Sequence, residues 1–237
     1  MANFITRQIP NTITCCNLIS GCIATYNAVL GLYETAFLFI VLGAVFDFFD
    51  GMSARLLGVS SPIGKELDSL ADDVTFGVAP SAMLFTLLLD ASWPSAFGAA
   101  AAVLPYLAFV MAAFSALRLA KFNLDERQAT SFIGLPTPAN TLFWASLIVG
   151  AGERAVSCGW GAPALLALML VSCWLLVAEL PMFALKFKKW GWRGNEVKYV
   201  FVATAAVMVA ALGILGVAAA IAWYIILSAA VSRTGRQ

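Results

Sequence analysis

The chain has 237 residues, of which 62% are hydrophobic and only 11% charged, and its formal net charge is +1. Soluble domains average about 45–50% apolar and about 25% charged residues, so with a mean hydropathy of +0.90 the composition excludes an ordinary soluble domain. It predicts an all-α integral membrane protein, a polytopic helical bundle forming a single domain over residues 1–237.

The sequence contains no histidine. Acid–base chemistry is thereby confined to carboxylates, and any metal site to oxygen donors, which suit Mg²⁺, Mn²⁺ or Ca²⁺. Cys15, Cys16, Cys22, Cys158 and Cys173 lack metal-ligand spacing, and their odd number argues against a disulfide framework. No basic stripe interleaved with aromatics is present, so nucleic acid is excluded as a partner. The N-terminal stretch lacks the three-part pattern of a secretory signal, and the first apolar segment is expected to be a retained span.

A helix crosses the hydrocarbon core with about 20 apolar residues, in a range of about 17–25. In chain order, apolar runs predict spans at 13–32, 35–57, 66–89, 96–120, 137–152, 162–185, 197–213 and 215–232. The fifth is short, and the last two divide one run at Gly213 and Gly216. Eight spans are expected, or six if that turn or the short fifth pass is not formed. With an even number, Arg154 alone among the 14 lysines and arginines falls on one side. The positive-inside rule then puts both termini and the Arg55–Lys65 loop in the cytoplasm.

Along the first span, Pro10, Asn11, Thr14, Asn17 and Gly21 share one stripe, either facing a ligand pocket or forming a close-packing surface. Asp47 and Asp50 lie three apart near the end of the second span, and Asp68 and Asp72 four apart at the start of the third. Each pair therefore shares a helical face. The two helices are consecutive, so the carboxylates can meet in one pocket near the membrane surface. Aspartate in a membrane helix is costly, about 2.5–3.5 kcal/mol at its centre, and bound divalent cations relieve the repulsion among four of them. The alternative is a solvated helix end paired to Arg55 and Lys65. Asp73 points about 100° away from Asp72 and is expected to pair or to support its neighbours.

Asp47-x-x-Asp50-Gly51-x-x-Ala54-Arg55, eight residues, then Gly64-x-x-x-Asp68-x-x-x-Asp72 resembles the signature of the CDP-alcohol phosphotransferases, integral membrane enzymes that displace CMP from a CDP-linked substrate with an alcohol. The resemblance implies that Asp47, Asp50, Asp68 and Asp72 hold a two-metal site for Mg²⁺ or Mn²⁺, with Asp72 also the general base. It further implies that Gly51, Ala54, Arg55 and Gly64 line the nucleotide pocket, with Asn11, Thr14 and Asn17 as candidates beside them, and that the protein is a homodimer.

Arg118-Leu-Ala-Lys121-Phe-Asn123 and Phe132-x-Gly134-Leu-Pro136-Thr-Pro138-Ala-Asn140 resemble segments of the phosphatidylserine-forming branch, with Lys121 and Asn140 departing from its usual Arg and Ala. This implies CDP-diacylglycerol and L-serine as substrates in a prokaryotic cytoplasmic membrane, among membrane lipid. Arg118, Lys121, Asn123, Gly134 and Pro136 are then candidates for the acceptor or a lipid phosphate. Arg118 and Lys121 also fit snorkelling anchors. The Gly134–Pro138 stretch reads either as a loop closing the pocket or as a helix start with proline in its first turn. Glu179 is expected to pair with a basic residue of the 186–193 loop. Glycerol 3-phosphate or inositol phosphate as acceptor, and divalent-cation transport, are the competing readings.

Overall fold

The computed structural model describes residues 4–59, 61–125, 132–183, 191 and 195–233. Ten α-helices dominate these residues: α1 (Phe4–Val29), α2 (Tyr33–Leu57), α3 (Pro62–Asp72), α4 (Ala79–Leu89), α5 (Val110–Leu124), α6 (Thr137–Leu147), α7 (Glu153–Ser157), α8 (Gly161–Val177), α9 (Glu196–Leu212) and α10 (Leu215–Arg233). A π-helical segment, Asp73–Val78, joins α3 to α4 without a break, and another, Ile148–Gly152, joins α6 to α7. Two-residue strands β1 (Phe132–Ile133) and β2 (Pro181–Met182) pair antiparallel, with Phe132 opposite Met182.

Three helical stretches are long and apolar enough to cross a membrane: Tyr33–Leu57, Pro62–Leu89 and Leu104–Leu124. Gly161–Val177 and Leu215–Val231 are shorter apolar helices. The chain is thus an all-helical integral membrane protein apart from the β1–β2 pair. Large apolar side chains such as Leu38, Phe48, Val171 and Val207 lie exposed, a surface that water would penalise and lipid does not.

Several ends differ from those the apolar runs predict. α1 begins at Phe4 rather than 13, because polar residues such as Gln8 and Thr12 interrupt hydrophobicity without interrupting backbone bonding; Thr12 Oγ1 donates to the Gln8 carbonyl at 2.9 Å. The fourth predicted span starts as 3₁₀ turns, Ser95–Ala102 and Leu104–Phe109, broken where Gly98 takes φ 46°. The sixth stops at Val177, not 185, so Glu179 lies beyond the helix. Pro181 follows closely and disfavours helix at the residue before it, and the chain there pairs as β2. The turn near Gly213 is formed, with φ 59° at that glycine.

α1 packs along α2 and over the start of α3, the π segment and α4. The main core joins Ala36 and Ile40 of α2, Met83, Leu84 and Leu88 of α4, Trp144 of α6 and Met169 of α8. Inside it, Trp144 Nε1 donates to Ser172 Oγ at 3.0 Å. A second cluster, Leu135, Leu176, Met182 and Tyr224, ties α10 to the end of α8.

Candidate active site

The turn between α2 and α3 shapes the site. Gly58 adopts φ 60° after α2. Its N–H reaches the Arg55 carbonyl and that of Val59 reaches Ala54, the Schellman arrangement that stops a helix with a left-handed residue. Three residues later Ser61 caps α3, accepting from the Gly64 N–H at 2.9 Å, with Pro62 in the first turn where its missing N–H costs nothing. The chain reverses within four residues. α2 and α3 each pack against α1, which brings their carboxylates to one place.

One oxygen each from Asp47, Asp50 and Asp68 lies within 4.8 Å of the others. Asp72 stands outside this trio, one turn beyond Asp68 on the same helix. Two residues of α1 reach into the group. Thr14 Oγ1 donates to Asp50 Oδ2 at 2.6 Å, and Asn17 Nδ2 donates to Asp72 Oδ1 at 3.0 Å. Asp68 Oδ1 is buried with no hydrogen-bond partner among the described residues. Three converging carboxylates, one with a buried orphaned oxygen, are mutually repulsive unless a cation joins them. An all-oxygen donor set fits a hard divalent ion.

Beside the trio opens a cavity of about 360 Å³, lined by Asn11 and Thr14 of α1, Asp50, Gly51 and Ala54 of α2, and Ser61, Gly64, Lys65 and Asp68 of the turn and α3. Most of the residues expected to bind a nucleotide are thus gathered here. Arg55 lies against the wall, its Nη1 3.5 Å from where a Cβ on Gly51 would stand. A Cβ on Gly64 would meet Asn11 Oδ1 and Ser61 Oγ at 3.0 Å, so glycine there lets α1 approach. Asn17 departs from the expected group, since it holds Asp72 and does not line the cavity. The polar stripe of α1 therefore does both of the things its sequence allows. Asn11 and Thr14 face the cavity, and Gly21 packs closely on the backbone of Thr75.

Asp73 opens the π segment, an irregularity often found at functional sites. Its Oδ1 is buried without a hydrogen-bond partner among the described residues, close to Gly77 and Ser115. Thr75, which nothing in the sequence singled out, donates from Oγ1 to the Asn17 carbonyl at 3.1 Å and so fixes the residue that holds Asp72.

The residues expected to receive the acceptor divide among three places. Arg118 is buried, 7% exposed, and donates from Nη1 to Thr137 Oγ1 at 3.2 Å. It stacks over Phe122 at 5.2 Å. With Lys121 it lines a second cavity, of about 410 Å³. Asn123 clasps α3 instead: its Nδ2 donates to Ser69 Oγ at 2.7 Å and its carbonyl accepts from Lys65 Nζ at 2.9 Å. Gly134, at φ 77°, packs against the carbonyls that end α8, and Pro136 precedes α6, whose first turn contains Pro138. The Gly134–Pro138 stretch thus leads into a helix start. Asn140 is fully buried with neither amide atom hydrogen-bonded among the described residues. Glu179 lines the second cavity; the basic residues 186, 188, 189 and 193 expected to pair with it lie outside the described residues.

The sequence has counterparts among known proteins. The chain is 40% identical over 136 residues to a CDP-diacylglycerol–serine O-phosphatidyltransferase of Bacillus subtilis, an alignment covering 56% of this chain and 70% of the relative. It is 32% identical over 183 residues to the protein of that name from Mycobacterium leprae, covering 73% and 57%. It is 35% identical over 142 residues to that of Methanocaldococcus jannaschii, covering 60% and 59%. The chain thus spans less than two thirds of the length of the latter two relatives. The family profile described as CDP-alcohol phosphatidyltransferase matches residues 7–185, which include the whole aspartate group, both cavities, most of α1 and all of α2 through α8. The chain belongs to the CDP-alcohol phosphatidyltransferase family.

Proposed function

We infer that this chain transfers the phosphatidyl group of CDP-diacylglycerol to L-serine, forming phosphatidylserine and releasing CMP. The observation that carries the reading is the convergence of Asp47, Asp50 and Asp68 beside a cavity floored by small residues, in a chain whose relatives bear the name of that reaction.

Asp47, Asp50 and Asp68, with Asp72 adjoining, are the residues that would hold Mg²⁺ or Mn²⁺, on which the family depends. Bound there, divalent cations neutralise phosphate charge and stabilise the leaving CMP. The chain's own groups do the rest. Gly51, Ala54 and Gly64 leave room for the cytidine diphosphate, and Arg55 sets a cation beside it. Thr14 and Asn17 fix the orientation of Asp50 and Asp72. The serine hydroxyl oxygen attacks the lipid-side phosphorus, and the bond from that phosphorus to the bridging oxygen of CMP breaks. Asp72 receives the hydroxyl proton as that bond forms. Arg118 and Lys121 offer cations to the serine carboxylate.

The reading extends to eight membrane spans. The aspartates and both termini lie on the cytoplasmic side of a prokaryotic inner membrane, where the lipid substrate enters laterally and serine from the cytosol. A homodimer follows from the family resemblance.

The test is CMP release by the purified protein in mixed micelles with CDP-diacylglycerol and Mn²⁺ or Mg²⁺, offering serine, glycerol 3-phosphate or inositol phosphate. Serine-dependent release, lost in Asp72→Asn, is expected. Release with another acceptor only would overturn the serine assignment. No release with any acceptor by folded protein would overturn the transferase reading.

A further inference from the structure

We propose that Thr137 is a positioning residue for the acceptor: its hydroxyl fixes the Arg118 guanidinium at the wall of the second cavity, where that guanidinium takes the carboxylate of the incoming amino acid. The inference rests on the serine transfer proposed above and refines its acceptor side.

Arg118 stands where two regions meet. It lines the second cavity and sits on α5, which packs against the π segment that follows Asp72, whereas the nucleotide cavity is lined by α1, α2 and α3. An acceptor held in the second cavity therefore occupies a place separate from the nucleotide. The lining of that cavity carries both signs of charge, Arg118 and Lys121 against Asp125 and Glu179, which suits a zwitterion better than an acceptor bearing only phosphate.

A buried guanidinium needs a fixed plane to bind a carboxylate through its fork, and Thr137 supplies one anchor at 3.2 Å. Thr137 is itself fully buried and held in place. Thr141 Oγ1 lies 2.9 Å from the Thr137 carbonyl and 2.5 Å from that of Phe76 in the π segment. That segment begins immediately after Asp72. A short relay of contacts thus sets Arg118 relative to Asp72, and only the Thr137 hydroxyl in it touches the cation.

The experiment compares serine KM, CDP-diacylglycerol KM and kcat for wild type, Thr137→Val, Thr137→Ser, Arg118→Lys and the Arg118→Lys/Thr137→Val double variant, in mixed micelles. Thr137→Val is expected to raise the serine KM about three- to tenfold, the effect of one hydrogen bond, and to leave the CDP-diacylglycerol KM within about twofold. Thr137→Ser should restore the wild-type value. In the Arg118→Lys background the valine should add little, because residues acting as one unit are not additive. An unchanged serine KM, a fall in kcat alone, or full additivity would overturn the inference. Should Thr137→Val not fold, Thr137→Ala carries the same expectations. If Arg118→Lys leaves the serine KM unchanged, the carboxylate assignment to Arg118 falls, and the inference with it. Wild-type protein without serine-dependent CMP release is the separate outcome that removes the transferase reading.

Discussion

Asn17 and Asp72 are 55 residues apart in the chain and joined by a hydrogen bond of 3.0 Å. Asn17 is fully buried and its Oδ1 has no partner among the described residues, so its amide is committed to the carboxylate and its carbonyl oxygen goes without. The Thr75 hydroxyl, bonded to the Asn17 backbone, closes a loop from α1 to the π segment and back to Asp72. Asp72 is thus oriented by a helix that contributes none of the four aspartates.

Removing that aim should be visible in turnover. Asn17→Ala is expected to lower kcat/KM for serine roughly 10- to 100-fold, since a hydrogen bond to a charged group contributes about 1.5–3 kcal/mol and about 1.4 kcal/mol is tenfold in rate. Steady-state CMP release measures it, and a change below twofold would show that Asp72 is held by other means.

Gly21 offers a prediction of sign. Glycine to alanine inside a helix ordinarily stabilises by about 0.5–1 kcal/mol. Here the added methyl would meet Thr75 Cα at 2.8 Å and N at 2.9 Å, and overpacking costs about 1–3 kcal/mol. Gly21→Ala should therefore lower the unfolding temperature in detergent, while alanine at Gly159, with open space around it, should leave it nearly unchanged.

Chelation addresses the acidic trio. EDTA should abolish CMP release, and added Mg²⁺ or Mn²⁺ should restore it. Asp68→Asn is expected to raise the metal concentration for half-maximal activity by about tenfold or more, as even outer groups of metal sites matter by about 10–100-fold. Activity insensitive to both treatments would dismiss a metal role for these carboxylates.

Far from the aspartates, Ser172→Ala should cost stability and little else. It leaves the buried Trp144 indole N–H without its acceptor, a loss of about 1–3 kcal/mol. Thermal unfolding should shift, while KM for both substrates should stay at the wild-type values.

Much of this site was readable in the chain because its parts are local. Asp47 and Asp50, or Asp68 and Asp72, need only helical spacing to share a face, and Gly58, Ser61 and Pro62 are ordinary stop and start signals that bring the two helices together. What the sequence did not disclose depends on distant partners. Nothing in the spacing of Asp68 and Asp72 says that one joins the trio and the other turns to Asn17. Thr75 and Thr137 look like any small polar residue in a membrane helix until the segments they touch are in place. Asn123 sits in a motif suggestive of ligand binding, yet its side chain ties α3 to α5. Helix ends were misjudged wherever hydrophobicity and backbone bonding part company, as at Phe4 and Val177.

The π segment at Asp73–Val78 has a consequence for how this protein tolerates change. A π turn amounts to one residue more than a regular helix accommodates. Deleting one residue between Asp73 and Val78 would remove the bulge and let the stretch from Pro62 to Leu89 run as a continuous α-helix with the faces on either side still aligned, whereas the same deletion in a regular helix turns everything beyond it by about 100°. What such a deletion would take away is the placement of Thr75 against the Asn17 carbonyl and of the Phe76 carbonyl against Thr141. Those six residues are therefore where a lineage can gain or lose one residue without turning α4 away from its partners, while losing the contacts that the bulge makes.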